Sequence, residues 1–169
     1  MDLSGKLQEA INKHINAELY SAYLYLSMSA YCDGISLPGF AHWLRAQHQE
    51  ELSHAFKLFD FLNDRGGRVE LQAITKPPGE FDSPLDVMEQ TLAHEQEVTS
   101  LINRLYELAV EESDYPAQIL LQWFITEQVE EEKNVSEVLQ HLSLVGDDGA
   151  GVLMVDARLG QRAGGTATE

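Results

Sequence analysis

Cysteine occurs only once in this chain of 169 residues, at Cys32. A single thiol excludes an internal disulfide framework, a cysteine-rich zinc site and a four-cysteine iron site of the rubredoxin kind. Basic residues are scarce: 11 Lys and Arg stand against 28 Asp and Glu, a formal charge of −17. That balance argues against a nucleic-acid partner and favours the attraction of cations. Long apolar runs are missing as well, none approaching the ~20 residues needed to cross a bilayer. The opening Met1-Asp2-Leu3-Ser4-Gly5 lacks the basic region followed by an apolar one that marks an export signal. A soluble, cytoplasmic protein with no membrane partner is expected. Its length and 44% hydrophobic content suit one domain with its own core.

Helical periodicity dominates the chain. Leu7, Ala10/Ile11, Ile15, Leu19, Ala22, Leu26 and Ser29 recur every three or four positions and predict a first helix ending near Asp33-Gly34. Tyr20, Tyr23, Leu24 and Met28 make its other face apolar, which suggests burial against a second subunit. Ser36-Leu37-Pro38 reads as a cap with proline in the first turn of a second helix, which closes between Asn63 and Gly67. Residues 66–82 hold Gly66, Gly67, Pro77, Pro78 and Gly79, a connection long enough to span the bundle, in which Val69 to Ile74 alternates like a short strand. Ser83-Pro84 and Asp114-Tyr115-Pro116 open the third and fourth helices. Beyond Gly146 to Gly149, Ala150 to Leu159 is a candidate short fifth helix. Residues 1–160 are thus expected to form an all-α, up-down-down-up four-helix bundle with one long crossover, and 161–169 a flexible tail.

The apolar stripes carry residues that do not belong in a core. Glu18 lies on the first stripe, Glu51 and His54 on the second, Glu95 on the third, and Gln128 and Glu131 on the fourth. An unpaired carboxylate in such a place costs many kcal/mol, on the order of tens by Born estimates. A multivalent cation between the helices would neutralise them. Glu51-Leu52-Ser53-His54 places a carboxylate and an imidazole on one side of a helix. In the resulting division Glu18 and His54 hold a first metal, Glu51 bridges, Glu95 and Glu131 hold a second, and Gln128 reaches the second ion or its water. Mixed carboxylate and imidazole ligation suits iron, and a pair about 3.5–4 Å apart can pass two electrons to dioxygen. Zinc fits the same ligands.

With these residues the chain resembles the ferritins over nearly its full length, most closely the non-haem ferritins of bacteria. The matching segments are Glu18-Leu19-Tyr20-Ser21 through Tyr25, Glu50-Glu51 with His54, His94-Glu95-Gln96, Leu121-Gln122-Trp123 and Glu127 to Lys133. The resemblance implies a ferroxidase centre of Glu18, Glu51, His54, Glu95 and Gln128, with Glu131 as the extra ligand of the bacterial type. It implies a homo-oligomeric shell of twenty-four subunits that oxidises Fe(II) with O2 or H2O2 and stores ferric mineral. Bacterioferritins also resemble the chain, but where they carry a second Glu-x-x-His and a haem-ligating methionine it has Gln128-x-x-Glu131 and Leu52, so no haem is expected. The stretch Gln118 to Leu121 is uncharged, unlike the acidic channel of animal ferritins. The alternative is a di-iron oxidase or a peroxide-scavenging protein of the rubrerythrin kind without storage.

Two further groups stand near these ligands. Glu50, Glu127 and Glu130 each precede a stripe position by one residue and so turn ~100° off the core. With Glu131 they form either a third iron site, as the bacterial resemblance implies, or a solvated acidic face. Tyr25, seven residues after Glu18 on the same face, is expected beside the first iron, as an electron donor or as a packing residue, with Trp123 the second choice of donor.

Overall fold

The computed structural model describes residues 3–162. Those residues form five helices, α1 (Gly5–Gly34), α2 (Pro38–Asp64), α3 (Pro84–Glu111), α4 (Tyr115–Val145) and α5 (Gly149–Leu159). None of the described helices is long and apolar enough to cross a membrane. Three of the four long helices start on local caps. Ser4 Oγ accepts from Leu7 N, Ser83 Oγ from Asp86 N and an Asp114 carboxylate oxygen from Ala117 N. Each satisfies an amide that the helix itself leaves unpaired.

The second helix departs from the sequence reading. Ser36 does not cap it: the residue sits at φ 63° in the turn, and Leu37 occupies the cap position without a side-chain hydrogen bond. The cap arrives from α5. Asp156 Oδ1 accepts from Phe40 N at 2.9 Å across 116 residues of chain. The approach is so close that a Cβ on Gly39 would lie 1.7 Å from the Asp156 carbonyl oxygen. Glycine is required there by space.

The crossover also differs from expectation, because the strand predicted over Val69 to Ile74 does not form. A strand needs a paired neighbour, and here α1 side chains take that part. Asn12 Nδ2 donates to the Arg68 carbonyl, Asn12 Oδ1 accepts from Glu70 N, and Gln8 Oε1 accepts from Arg68 N. Farther along, Ser27 Oγ donates to the Pro78 carbonyl, and Phe81 is buried against Tyr31 with ring centroids 5.2 Å apart. The connection therefore follows α1 from Asn12 to Ser27, about 22 Å of helix. It delivers α3 antiparallel to α1 and parallel to α2, the up-down-down-up order.

Two apolar clusters result. One contains Leu24, Tyr25, Met28, Phe40, Leu44, Met88 and Val135, the other Ile11, Ile15, Leu58, Leu62, Ile102 and Phe124. Leu24 and Met28, expected to face another subunit, belong to the chain's own core, whereas Tyr23 is exposed; Leu26, expected on the core stripe, is exposed as well, because α1 turns its Leu24–Met28 side inward there. Arg65 joins the end of α2 to the start of α4 through paired bonds to Asp114 of 2.8 and 2.9 Å. Of the expected tail, residues 163–169 lie outside the described residues, whereas Arg162 is anchored on α2.

Gly39→Ala is expected to push α5 off α2. Overpacking of about 1–3 kcal/mol should lower the thermal midpoint by several degrees, roughly 2–4 °C per kcal/mol for a chain of this size. Hydrogen exchange should show lost protection in α5 with α1 and α3 unchanged; full protection of α5 in the variant would contradict the docking.

Candidate metal centre

Between the two apolar clusters lies a layer of buried polar groups drawn from all four long helices. Glu18 of α1, Glu51 and His54 of α2, Glu95 of α3, and Gln128 and Glu131 of α4 are each no more than 4% exposed. The helical stripes of the sequence thus meet at one level. One ligand atom from each of Glu18, Glu51 and His54 lies within 4.8 Å of the other two, and the same holds for His54, Glu127 and Glu131. His54 belongs to both triplets. Its ring is fixed edge-on by Trp123 and Phe124, at centroid distances of 5.4 and 5.8 Å.

Glu95 stands outside both triplets and is held from two sides. Gln128 Nε2 donates to Glu95 Oε2 at 3.0 Å and to its carbonyl oxygen at 3.2 Å. The Tyr25 hydroxyl donates to Glu95 Oε1. Tyr25 was expected beside the first metal position, but α3 runs antiparallel to α1 and brings Glu95 to the phenol instead. Gln128 likewise presents its amide nitrogen to Glu95. Burial and the neighbouring carboxylates push the Tyr25 hydroxyl well above its ordinary range, so it remains protonated.

The electrostatics follow from crowding. Burial, with Glu95 and Glu18 beside it, pushes Glu51 well up. For Glu18 burial acts upward too, but the proximity of His14, then of His54, overcomes it and lowers the carboxyl to about 2. Of the two, Glu51 is the one that keeps a proton. Burial raises Glu95 to about 7, against the hydrogen bonds from Tyr25 and Gln128. Burial, Glu95 and Glu50 raise Glu131 to about 8, against the bond from Gln47.

Several contributors had no part in the sequence reading of the site. Gln47, one turn before Glu51, donates to Glu131 Oε2 at 2.6 Å, and its own oxygen accepts from Arg162. Arg162 also donates to both oxygens of Glu50, at 3.0 and 2.8 Å, and lies over Trp43. Glu50 is therefore engaged by an arginine 112 residues away, for which the sequence held no signal. Glu130 is exposed. Glu127 is raised by burial and by Glu130 and Glu50, with His54 acting against these. His14, one turn before Glu18, is buried with Nε2 2.9 Å from Glu18 Oε1. Its spacing from Glu18 was the available signal.

Both Glu18 oxygens are buried without a hydrogen-bond partner. An ionised carboxylate left so is costly, and a multivalent cation satisfies it. The donor set of carboxylates and imidazole fits iron, and zinc as well.

Without metal, Glu95 and Glu131 hold protons in the folded chain that the unfolded chain releases near pH 4.5. Stability therefore falls as pH rises from about 5 to 8, and Glu51, also raised, acts in the same direction. Glu18 acts in the opposite sense, but its contribution is already complete above pH 4.5. In chelator, the thermal midpoint should drop by roughly 2–4 °C or more over this window, and Glu131→Gln should flatten the drop. A midpoint that rises between pH 5 and 8 would contradict this proton distribution.

The comparisons agree with this geometry. A model of the ferritin family, described as a ferritin-like domain, matches residues 8–145. The bacterial non-heme ferritin of Bacteroides fragilis is 41% identical over 160 residues, covering 95% of this chain and 99% of that one. A probable bacterial non-heme ferritin-like protein of Haemophilus influenzae is 42% identical over 158 residues, covering 94% and 96%. Among solved structures, an open pore ferritin of the hyperthermophilic archaeon Archaeoglobus fulgidus superposes with a TM-score of 0.95 at 49% identity, covering 96% of this chain and 100% of that one. With the same helices in the same order and the match extending over nearly its whole length, the chain belongs to the ferritin family.

Proposed function

We propose that the chain stores iron: it oxidises Fe(II) at the buried polar layer and retains ferric mineral inside a shell of its own copies. The observation that carries this reading is the convergence of carboxylates from four helices with His54, together with the unpartnered oxygens of Glu18. Fe(II) is the substrate. Glu18 and His54 hold the first ion, Glu51 bridges, and Glu95 and Glu131 take the second, while Gln128 and Tyr25 fix Glu95 from behind. Two ions give up one electron each, so O2 and two protons leave as H2O2, or H2O2 and two protons leave as two waters. The protons displaced from Glu51, Glu95 and Glu131 as iron binds lie beside that reaction.

The names of the bacterial relatives support a centre without haem. His54, Glu127 and Glu131 offer a third iron position; Glu50 joins it only when Arg162 lets go, and Glu130 approaches from the exposed side. The Tyr25 hydroxyl on Glu95 positions that ligand and also places a phenol, a potential electron donor, beside the second ion. Leu71, Leu144, Leu153 and Met154 are exposed apolar side chains that neighbouring copies would cover. Twenty-four chains of 18.9 kDa would give a particle of about 450 kDa, working in the cytoplasm.

Stopped-flow oxidation at two Fe(II) per subunit tests the centre. Glu51→Ala and His54→Ala are each expected to slow the fast phase on the order of 100-fold, with the shell intact by light scattering. Native rates in both variants would refute the assignment.

A further inference from the structure

The polar layer holds one more donor than the reading above uses. His14 is 4% exposed, and its Nε2 lies 2.9 Å from Glu18 Oε1. The approach does not have the direction of a hydrogen bond, and both atoms are without a hydrogen-bond partner. The two buried atoms attract each other by charge when the imidazole is protonated, but neither has the hydrogen bond that burial demands. Two ligands of one cation stand at such a spacing without a hydrogen bond between them. Donors placed about 2.1 Å from an ion and at right angles to each other stand about 3.0 Å apart, which is the spacing found. The buried imidazole borders a cleft of about 290 Å³ between α1 and α3, with Ala10, Lys13, Leu101 and Arg104 among its walls.

We infer that His14 Nε2 and Glu18 Oε1 form a metal-binding pair for a divalent cation, which gives the Glu18 side of the centre a second imidazole besides His54. His14 is not grouped with Glu51 and His54 at the spacing that unites those two with Glu18. The ion held by His14 and Glu18 therefore sits toward the Ala10–Lys13 end of α1, and Glu18, with an oxygen to spare, links it to the ion shared by Glu51 and His54. The two ring systems are already separated by Phe124, whose ring stands edge-on to both, with centroids 6.3 Å from His14 and 5.8 Å from His54. One donor of this pair is nitrogen, and nitrogen ligation favours the later first-row divalent ions over magnesium or calcium. The inference rests on Glu18 being a metal ligand, as proposed above.

The test counts imidazoles bound to a paramagnetic probe. Vanadyl ion is added to the metal-free assembled protein at one and two per subunit, and electron spin echo modulation reads the nitrogen couplings. The native protein should show two distinct imidazole couplings, His14→Gln only the His54 coupling, and His54→Ala only the other. Isothermal titration with Co(II) should show affinity reduced about 10-fold or more in His14→Gln, with assembly unchanged by light scattering. A single coupling in the native protein, which requires no variant to fold, overturns the inference while leaving the Glu18, Glu51 and His54 site standing. Two couplings that both survive in His14→Gln also overturn it. No imidazole coupling at all overturns the inference and the metal-centre reading together.

Discussion

The burial of four ionisable carboxylates at one level of a helical bundle is the constraint on which the rest of the structure depends. Apolar packing would be continuous from end to end without them; instead Glu18, Glu51, Glu95 and Glu131 divide the core into two clusters. Protons and hydrogen bonds are distributed through the layer: Glu51 keeps a proton, Glu95 is tied to Tyr25 and Gln128, and Glu131 to Gln47. Glu18 alone keeps a charge without a hydrogen bond. Each hydrogen bond holds a carboxylate in place, and Glu51, Glu95 and Glu131 carry protons that a cation could displace.

The long helices and the buried polar residues on their stripes were legible because their signals are local. An apolar stripe recurring at 3.6 residues needs no knowledge of its partner, and Ser83 and Asp114 cap their own helices within three residues. Glu18, Glu51, Glu95 and Glu131 stood out because charge on such a stripe is expensive wherever the stripe packs. The failures share the opposite property. Ser36-Leu37-Pro38 has the composition of a cap, yet α2 is capped by Asp156 from the far end of the chain. Val69 to Ile74 alternates like a strand, yet Glu70 N bonds to the Asn12 side chain, and the backbone of Arg68 just before it to Asn12 and Gln8. Tyr25 lies about 10 Å along α1 from Glu18 by helical rise, and only the antiparallel course of α3 decides that Glu95 is its partner.

The C-terminal part of the described chain contributes more than its composition suggested. Asp156 closes the open end of α2, Gly39 admits it, and Arg162 continues inward to Gln47 and Glu50. A chain of contacts thus runs from α5 to Glu131 through two side chains. Arg162 brings a fixed positive charge to Glu50, which flanks the buried layer.

The central claim is that the buried carboxylate layer is a binding place for a pair of iron ions. Crystals loaded anaerobically with Fe(II), with anomalous diffraction recorded on both sides of the iron edge, test it most directly. The account predicts two iron peaks about 3.5–4 Å apart, one against Glu18, Glu51 and His54 and the other against Glu51, Glu95 and Glu131. Iron found only on the exposed acidic surface, with the buried layer empty and its hydrogen bonds unchanged, would contradict it.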